Sequence, residues 1–360
     1  RSVSRGLGDV YKRQVLIQSN LAKTLERIAK NGKEEFYSGE TAKKISKFFQ
    51  TNGGILSLKD LNQYRLRILE PVCGSYRDYG ICSMAPPSSG GIALVQILNI
   101  LENVDLSKFE HNSEKYLKIL MSAMDYAYRD RAKYLGDPDF FKVPQDLLTS
   151  KEYARDIYQQ IKEKKLLSKV NVKILEGEET THFSIVDKWG NAVSNTYTLN
   201  TAYGSGIVPN GTGILMNNEM DDFSSKPGHP NVYGLIGSEA NKIEPKKTPL
   251  SSMSPVIVFR YEKPYLITGS PGGSTIITSV LQEILNVLDF QMSLEESSEK
   301  SRIHFQHLPD ILFHEQFDGN LIESLRREQK LINRKLVEIH SILIKNDIVE
   351  AFSENRRTDG

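Results

Sequence analysis

Only two cysteines occur in 360 residues, Cys73 and Cys82, too few for a disulfide framework or a four-cysteine zinc site. The pair is therefore expected to be two buried or half-buried thiols. Charge of one sign is lacking too, since 46 basic side chains stand against 45 acidic ones. No net field draws the chain to nucleic acid or to an anionic membrane, which leaves a small molecule or peptide as the expected substrate. No apolar run approaches the roughly 20 residues that a membrane helix needs, so no span is expected. Enough remains for a core: 39% of the residues are apolar, and the length suits one large domain or two ordinary ones.

Residues 1–14, RSVSRGLGDVYKRQ, follow no period and carry no apolar signal core. They read as a non-native leader derived from an adapter, which leaves the native start and any targeting signal missing. From Ser19 a helix is expected, with Leu21, Leu25 and Ile28 on one face and Asn31-Gly32 as its stop. A second carries Ala42, Ile45, Phe48 and Phe49. Two short strands follow within residues 70–84, then the turn APPSSGG, then a helix with Ile92, Val95 and Leu98 on its buried face. Helices are also expected over 114–134 and 151–168, the latter lysine-rich and solvated. After Gly177 the period becomes two. HFSIVD and AVSNTYTL flank KWGN, a hairpin signal, and SPVIVF and PYLITGS give further strands before the helix IITSVLQEILNVL. This order predicts an α+β fold, antiparallel sheet covered by helices.

GEETTHFSIVD, residues 177–187, is where chemistry enters. The hairpin brings Thr198 and Asn200 within a residue or two of being opposite Thr180. A threonine hydroxyl holds its proton about as tightly as water, whose pKa is about 15.7, whereas a free α-amine titrates near about 7.7 to 8. A cut before Thr180 would supply hydroxyl and base on one residue. Without such a cut, two threonines before a strand are ordinary strand residues. GSPGGST, residues 269–275, joins a strand to a helix. It suits either an oxyanion site built from backbone N–H groups or a plain tight turn, and it lacks the lysine of a phosphate loop. NNEMDDF departs from a calcium loop, with Asp222 where a glycine belongs and Gly228 where a glutamate belongs. Glu219, Asp221 and Asp222 either receive an ammonium group or stay solvated. Ser251 and Ser252 either hold a carboxylate or serve as turn residues. His182 is expected in a structural or polar-face role. His304 and His307 lack further metal ligands, and LRREQKLINRK reads as the exposed side of a helix.

TTHFSIVD, NTYTLNTAYGSGIVP, GILMNNEMDDF, SKPGHPNVYGL, PLSSMSP and GSPGGS, in this order, closely resemble the γ-glutamyltranspeptidase family of amino-terminal-nucleophile hydrolases. NLAKTLERIAKNG, QILNILEN and YLGDPDF resemble the end of that family's large subunit. The resemblance implies a four-layer αββα sandwich, here incomplete at its N-terminal side. It also implies a large-subunit part over 15–179 and a small catalytic subunit over 180–360, with autocatalytic cleavage at Glu179-Thr180. It assigns Thr180 as nucleophile with its α-amine as base, Thr198 as its hydrogen-bond partner, and Gly272 and Gly273 as the oxyanion hole. Asn200, Glu219 and Asp222 would hold the substrate α-amine, and Ser251 and Ser252 its α-carboxylate. Residues 226–238, with Tyr233, would form a lid.

The implied reaction passes a γ-glutamyl group from glutathione or a related compound to Thr180, and then to water or an amino acid. No cofactor and no metal is implied, and a periplasmic or secreted location is. One departure is plain: the family's carboxylate-binding arginine has no counterpart in these residues. A related acylase acting on glutaryl-type amides of the cephalosporin kind, and an inactive truncated relative, are the rival readings.

Overall fold

The structure, a computed structural model, describes residues 15–163, 180–346 and 348–354. The chain divides into two compact units, residues 1–68 with 203–217, and residues 69–202 with 218–360.

In the first unit α1 (Ser19–Asn31) ends where the sequence punctuates it, at Gly32 with φ 69°. Its buried position is Thr24, whereas Leu25 is exposed. α2 (Lys33–Tyr37) and α3 (Glu40–Thr51) follow, and α4 (Leu58–Gln63) opens on a Ser57/Asp60 capping box. Arg27 Nε donates to Glu35 at 2.8 Å, and the Thr41 hydroxyl donates to the same carboxylate at 2.8 Å. These bonds hold the Glu35 carboxyl down at about 2. The Thr24 hydroxyl donates to the Thr212 carbonyl at 2.8 Å, which fastens residues 203–217 to α1.

The second unit holds the sheets. β1 (Val72–Tyr76), β2 (Tyr79–Ser83), β5 (Val256–Arg260), β6 (Lys263–Thr268), β10 (His340–Lys345) and β11 (Ile348–Ser353) form an antiparallel six-stranded sheet in that order. β3 (Thr181–Val186) and β4 (Ala192–Tyr197) form a separate hairpin. β7 (Ile303–His304), β8 (Ile311–His314) and β9 (Lys330–Asn333) make a small sheet in which β8 and β9 run parallel. Val256, Val258 and Leu266 of the large sheet share one buried core with α5 (Gly90–Leu101), α6 (Glu114–Tyr134), α7 (Lys151–Lys162) and α8 (Thr275–Leu288). Ser184 of β3 donates to the Ile267 and His340 carbonyls at 3.3 and 3.1 Å, and Ser194 of β4 to Thr268 at 2.9 Å, which seats the hairpin on the sheet's other face. Helices, sheet and hairpin are thus three successive layers, the α+β arrangement expected. α8 is buried throughout. Each large apolar side chain it buries contributes roughly 1.5–3 kcal/mol, so the glycine turn leading into it has a rigid base.

Three expectations are corrected. Cys73 and Cys82 are not thiols but a disulfide, because the β1–β2 register sets them directly opposite each other, which the spacing alone did not reveal. LRREQKLINRK is not one helix face: its helix (α9, Gly319–Arg326) ends at Arg326, and Lys330–Asn333 becomes β9, drawn into parallel pairing with β8. Every residue of α5 is buried, not one face only, since it is enclosed within the helical layer. Of the stretch 151–168, the helix ends at Lys162 and residues 164–168 lie outside the described residues, as do residues 177–179.

Arg302 and Glu354, both buried, form an ion pair that ties the end of β11 to the start of β7. Arg302 also donates to the Val337 carbonyl at 2.9 Å. Breaking this pair leaves the buried Arg302 charge to Glu283 and Glu315 alone, so Glu354→Gln is expected to destabilise the protein by up to about 3–5 kcal/mol. Urea titration would register this as a lower midpoint, and an unchanged midpoint would show that the pair is not structural.

Candidate active site

A cleft of about 270 Å³ opens in the second unit, lined by Thr180, Thr198, Asn200, Asp222, Tyr233, Ser251, Ser252, Met253, Gly273 and Ile276. Eight of the ten residues singled out from the sequence are in that lining. Glu219 and Gly272 are not, but each adjoins it: Glu219 backs Asp222, and Gly272 precedes Gly273.

The hairpin explains the first pair. β3 and β4 run in register from Thr181 against Tyr197, so Thr180 and Thr198 face each other one step beyond. The Thr180 hydroxyl donates to Thr198 Oγ1 at 3.1 Å, and Asn200 N–H donates to the same oxygen at 2.8 Å. Asn200 is buried with φ 76°, a left-handed conformation that asparagine tolerates. Its side chain donates to the Asn218 carbonyl at 3.2 Å. Beneath the hairpin His182 is buried, with Nδ1 2.8 Å from Thr196 Oγ1 and Nε2 3.1 Å from Ser184 Oγ. Burial pushes its pKa down to about 3, so it is a neutral packing element. A Cβ on Gly269 would stand 2.1 Å from its ring.

The acid group sits on a single 3₁₀ turn, Glu219–Asp222. Burial is the largest cause lifting both the Glu219 and the Asp222 carboxyls above the carboxylate range, and each hydrogen-bonds the other. Asp221 points elsewhere and accepts from Val232 N–H at 2.8 Å, pinning the segment above it. There the Tyr233 hydroxyl donates to the Asn200 carbonyl at 2.5 Å, while Asn231 Oδ1 accepts from the N–H groups of Tyr233 and Leu235. Tyr233 and Leu235 are both buried.

The serine pair lies before β5 and beside the PPSSGG turn. Ser251 N–H donates to the Pro87 carbonyl at 2.9 Å, and the Ser88 hydroxyl donates to the Met253 carbonyl at 2.7 Å. The Ser251 hydroxyl oxygen accepts from Met253 N–H at 3.0 Å and the Ser252 oxygen from Arg131 at 3.1 Å. With one lone pair committed in each case, both hydroxyl protons remain able to donate into the cleft.

Gly272 and Gly273 adopt φ 119° and 55°. A Cβ on Gly272 would stand 2.2 Å from Val337 Cγ1, and one on Gly273 would stand 2.5 Å from the Tyr233 ring. Only glycine fits either position. The following helix takes its first bonds from the Gly272 and Gly273 carbonyls, which receive Thr275 and Ile276 N–H. It does not use the glycine N–H groups.

His304 and His307 do not converge. His304 lies against Thr278 and Gln306, and His307 against Asp125. Two residues that hold the serine pair escaped the sequence reading, Arg131 and Ser89. A signal existed for Arg131: it continues the buried stripe of Leu120, Ala123, Met124, Ala127 and Tyr128 along α6, a place where a charged side chain needs a reason.

The Gamma-glutamyltranspeptidase family profile matches residues 8–360. The chain belongs to this family. It is 52% identical over 306 residues to a glutathione hydrolase proenzyme of Escherichia coli, covering 84% of this chain and 53% of that protein. It is 44% identical to one of Pseudomonas aeruginosa, covering 97% of this chain and 64% of that protein. The crystal structure of a cephalosporin acylase from Bacillus halodurans superposes with a TM-score of 0.80 at 25% identity, covering 94% of this chain and 61% of the acylase. The fold is therefore that of the amino-terminal-nucleophile hydrolases. The chain spans about half to two thirds of the length of these curated relatives. Among the described residues no helix is long and apolar enough to cross a membrane.

Proposed function

We propose that the complete protein is a self-processing γ-glutamyl transferase and hydrolase acting on glutathione and related γ-glutamyl compounds. The observation that carries this is the Thr180 hydroxyl, bonded to Thr198 at 3.1 Å, in a cleft with a carboxyl pair at one side and two serine donors at another. In the first step Thr180 Oγ attacks the carbonyl carbon of residue 179. The peptide C–N bond breaks, the amine takes the proton, and water releases the ester to give residues 15–179 and 180–360 as large-subunit and small-subunit parts. In turnover the freed α-amine takes the hydroxyl proton as Oγ attacks the γ-carbonyl. The oxyanion develops against the Gly272 and Gly273 N–H groups, where each such donor is worth roughly 2.7–4 kcal/mol. Collapse expels the leaving amine, which the Thr180 ammonium protonates, and water or an amino acid then takes the acyl group from the ester.

Asn200, Glu219 and Asp222 receive the substrate ammonium, Ser251 and Ser252 its carboxylate, and residues 226–238 cover it. A periplasmic or secreted location is supported by the Cys73–Cys82 disulfide, a bond that persists in oxidising compartments.

The acid pair distinguishes this reading from that of a glutaryl-amide acylase, whose substrate carries no amine. Asp222→Asn is expected to raise KM for a γ-glutamyl anilide by about ten- to hundredfold while leaving a glutaryl anilide unaffected or improved. Equal loss on both would remove the ammonium role. The pH response follows from the raised pKa values. Burial favours the protonated form of both carboxyls, so their contribution to stability is full below the ordinary carboxylate range and is lost as pH rises through the raised values toward neutrality. Ammonium binding needs the pair ionised, so KM for the γ-glutamyl substrate should fall as pH rises over that window, and KM for the glutaryl one should not.

A further inference from the structure

Arg131 is buried within α6, yet among the described residues no carboxylate forms an ion pair with it. Its Nε donates to Ser89 Oγ at 2.9 Å and its Nη2 to Ser252 Oγ at 3.1 Å. Ser89 passes the restraint on, since its hydroxyl and its N–H both donate to the Ser251 carbonyl at 2.8 Å. One planar fork thus holds both serines, Ser252 by its hydroxyl and Ser251 by its backbone. Desolvation pulls the Arg131 pKa down, and the nearby Tyr128 hydroxyl and Asp222 carboxyl act in the opposite sense. A guanidinium nevertheless stays protonated in proteins.

A buried cation with neutral hydrogen-bond partners is costly unless an anion approaches it. The hydroxyls in front of it accept from Arg131 in one case and from the backbone in the other, so each keeps its proton for donation to an anion in the cleft.

We propose that Arg131 is a positioning residue for the substrate's α-carboxylate. It orients the Ser251-Ser252 pair as a double donor and places a positive charge behind it, without itself lining the cleft. The inference rests on the γ-glutamyl reading of the site and adds to it a cation carried by this stretch of chain.

The test uses the complete, processed enzyme with two substrates, a γ-glutamyl anilide and a 4-aminobutanoyl anilide, which keeps the amine but lacks the α-carboxylate. Arg131→Gln is expected to raise KM for the first by about ten- to hundredfold with kcat little changed, and to leave both constants for the second where they were. Arg131→Lys should recover part of the loss, because lysine keeps the charge but not the fork. Ser89→Ala should shift KM in the same sense by less, and it decides together with the lysine variant should Arg131→Gln fail to fold. Equal losses on both substrates, a fall in kcat instead of a rise in KM, or silence of Arg131→Lys and Ser89→Ala would each overturn the inference. A different result would sink the underlying reading: wild-type enzyme that shows no preference for the γ-glutamyl anilide over its decarboxylated analogue has no carboxylate site at the serine pair at all.

Discussion

Thr180→Ala in the complete precursor is expected to leave one uncut polypeptide whose γ-glutamyl transfer is lower by at least about a thousandfold, the scale on which removal of a nucleophile is felt. The reason is that, in the proposed mechanism, a single side chain carries both reactions. Its hydroxyl begins the chain cleavage, and that cleavage in turn liberates the amine that activates the hydroxyl for turnover. The fold should survive, since Thr180 precedes β3 and the hairpin's own ladder begins at Thr181 and Tyr197. Thr180→Ser keeps an attacking oxygen and should still be cut, more slowly. A denaturing gel combined with an anilide assay reads both outcomes. Should the wild-type chain stay whole while it turns over substrate, or the alanine variant divide as wild type does, the amino-terminal nucleophile is not Thr180.

Gly273→Ala is expected to be nearly as damaging, for a reason that involves no lost functional group. The new methyl would stand 2.5 to 2.9 Å from three atoms of the Tyr233 ring, on a backbone with φ 55°. Either the glycine turn rotates, carrying its N–H groups away from the oxyanion position, or Tyr233 swings out and gives up its bond to the Asn200 carbonyl. Loss of one aligned oxyanion donor corresponds to about a hundred- to a thousandfold in kcat. Stability should fall by only about 1–2 kcal/mol, the cost of one left-handed non-glycine residue. Stopped-flow measurement of the acylation step with a γ-glutamyl anilide separates the two. If acylation proceeds at the wild-type rate, Gly273 does not shape the oxyanion site.

Most of the longer strands and helices up to residue 288 are legible because their signals are local, whereas the short helices Lys33–Tyr37, Leu58–Gln63 and Gln145–Leu148 are not. Period-two runs, a KWGN turn and glycine stops define β3, β4, α1 and α6 without reference to anything distant. The C-terminal stretch was less legible. β7 is two residues long, and β9 gains its strand character from parallel pairing with β8, a non-local interaction. Arg326 and Arg334 look alike in the sequence, yet one ends a helix and the other follows a strand. The cysteines were misjudged for a related reason, since their count says nothing of the register that puts Cys73 opposite Cys82.

From its residues alone this chain determines its family membership and the facing of Thr180 and Thr198. Strand pairing has a period of two, and its register is set by a nearby turn. Only the tertiary structure decides that the turn at 86–91, the loop at 251–254 and the buried Arg131 form one hydrogen-bonded unit at the cleft. These segments are held together by hydrogen bonds between loops that the sheet and the helical layer bring into place. No local pattern records which distant backbone carbonyl a buried hydroxyl or guanidinium will meet.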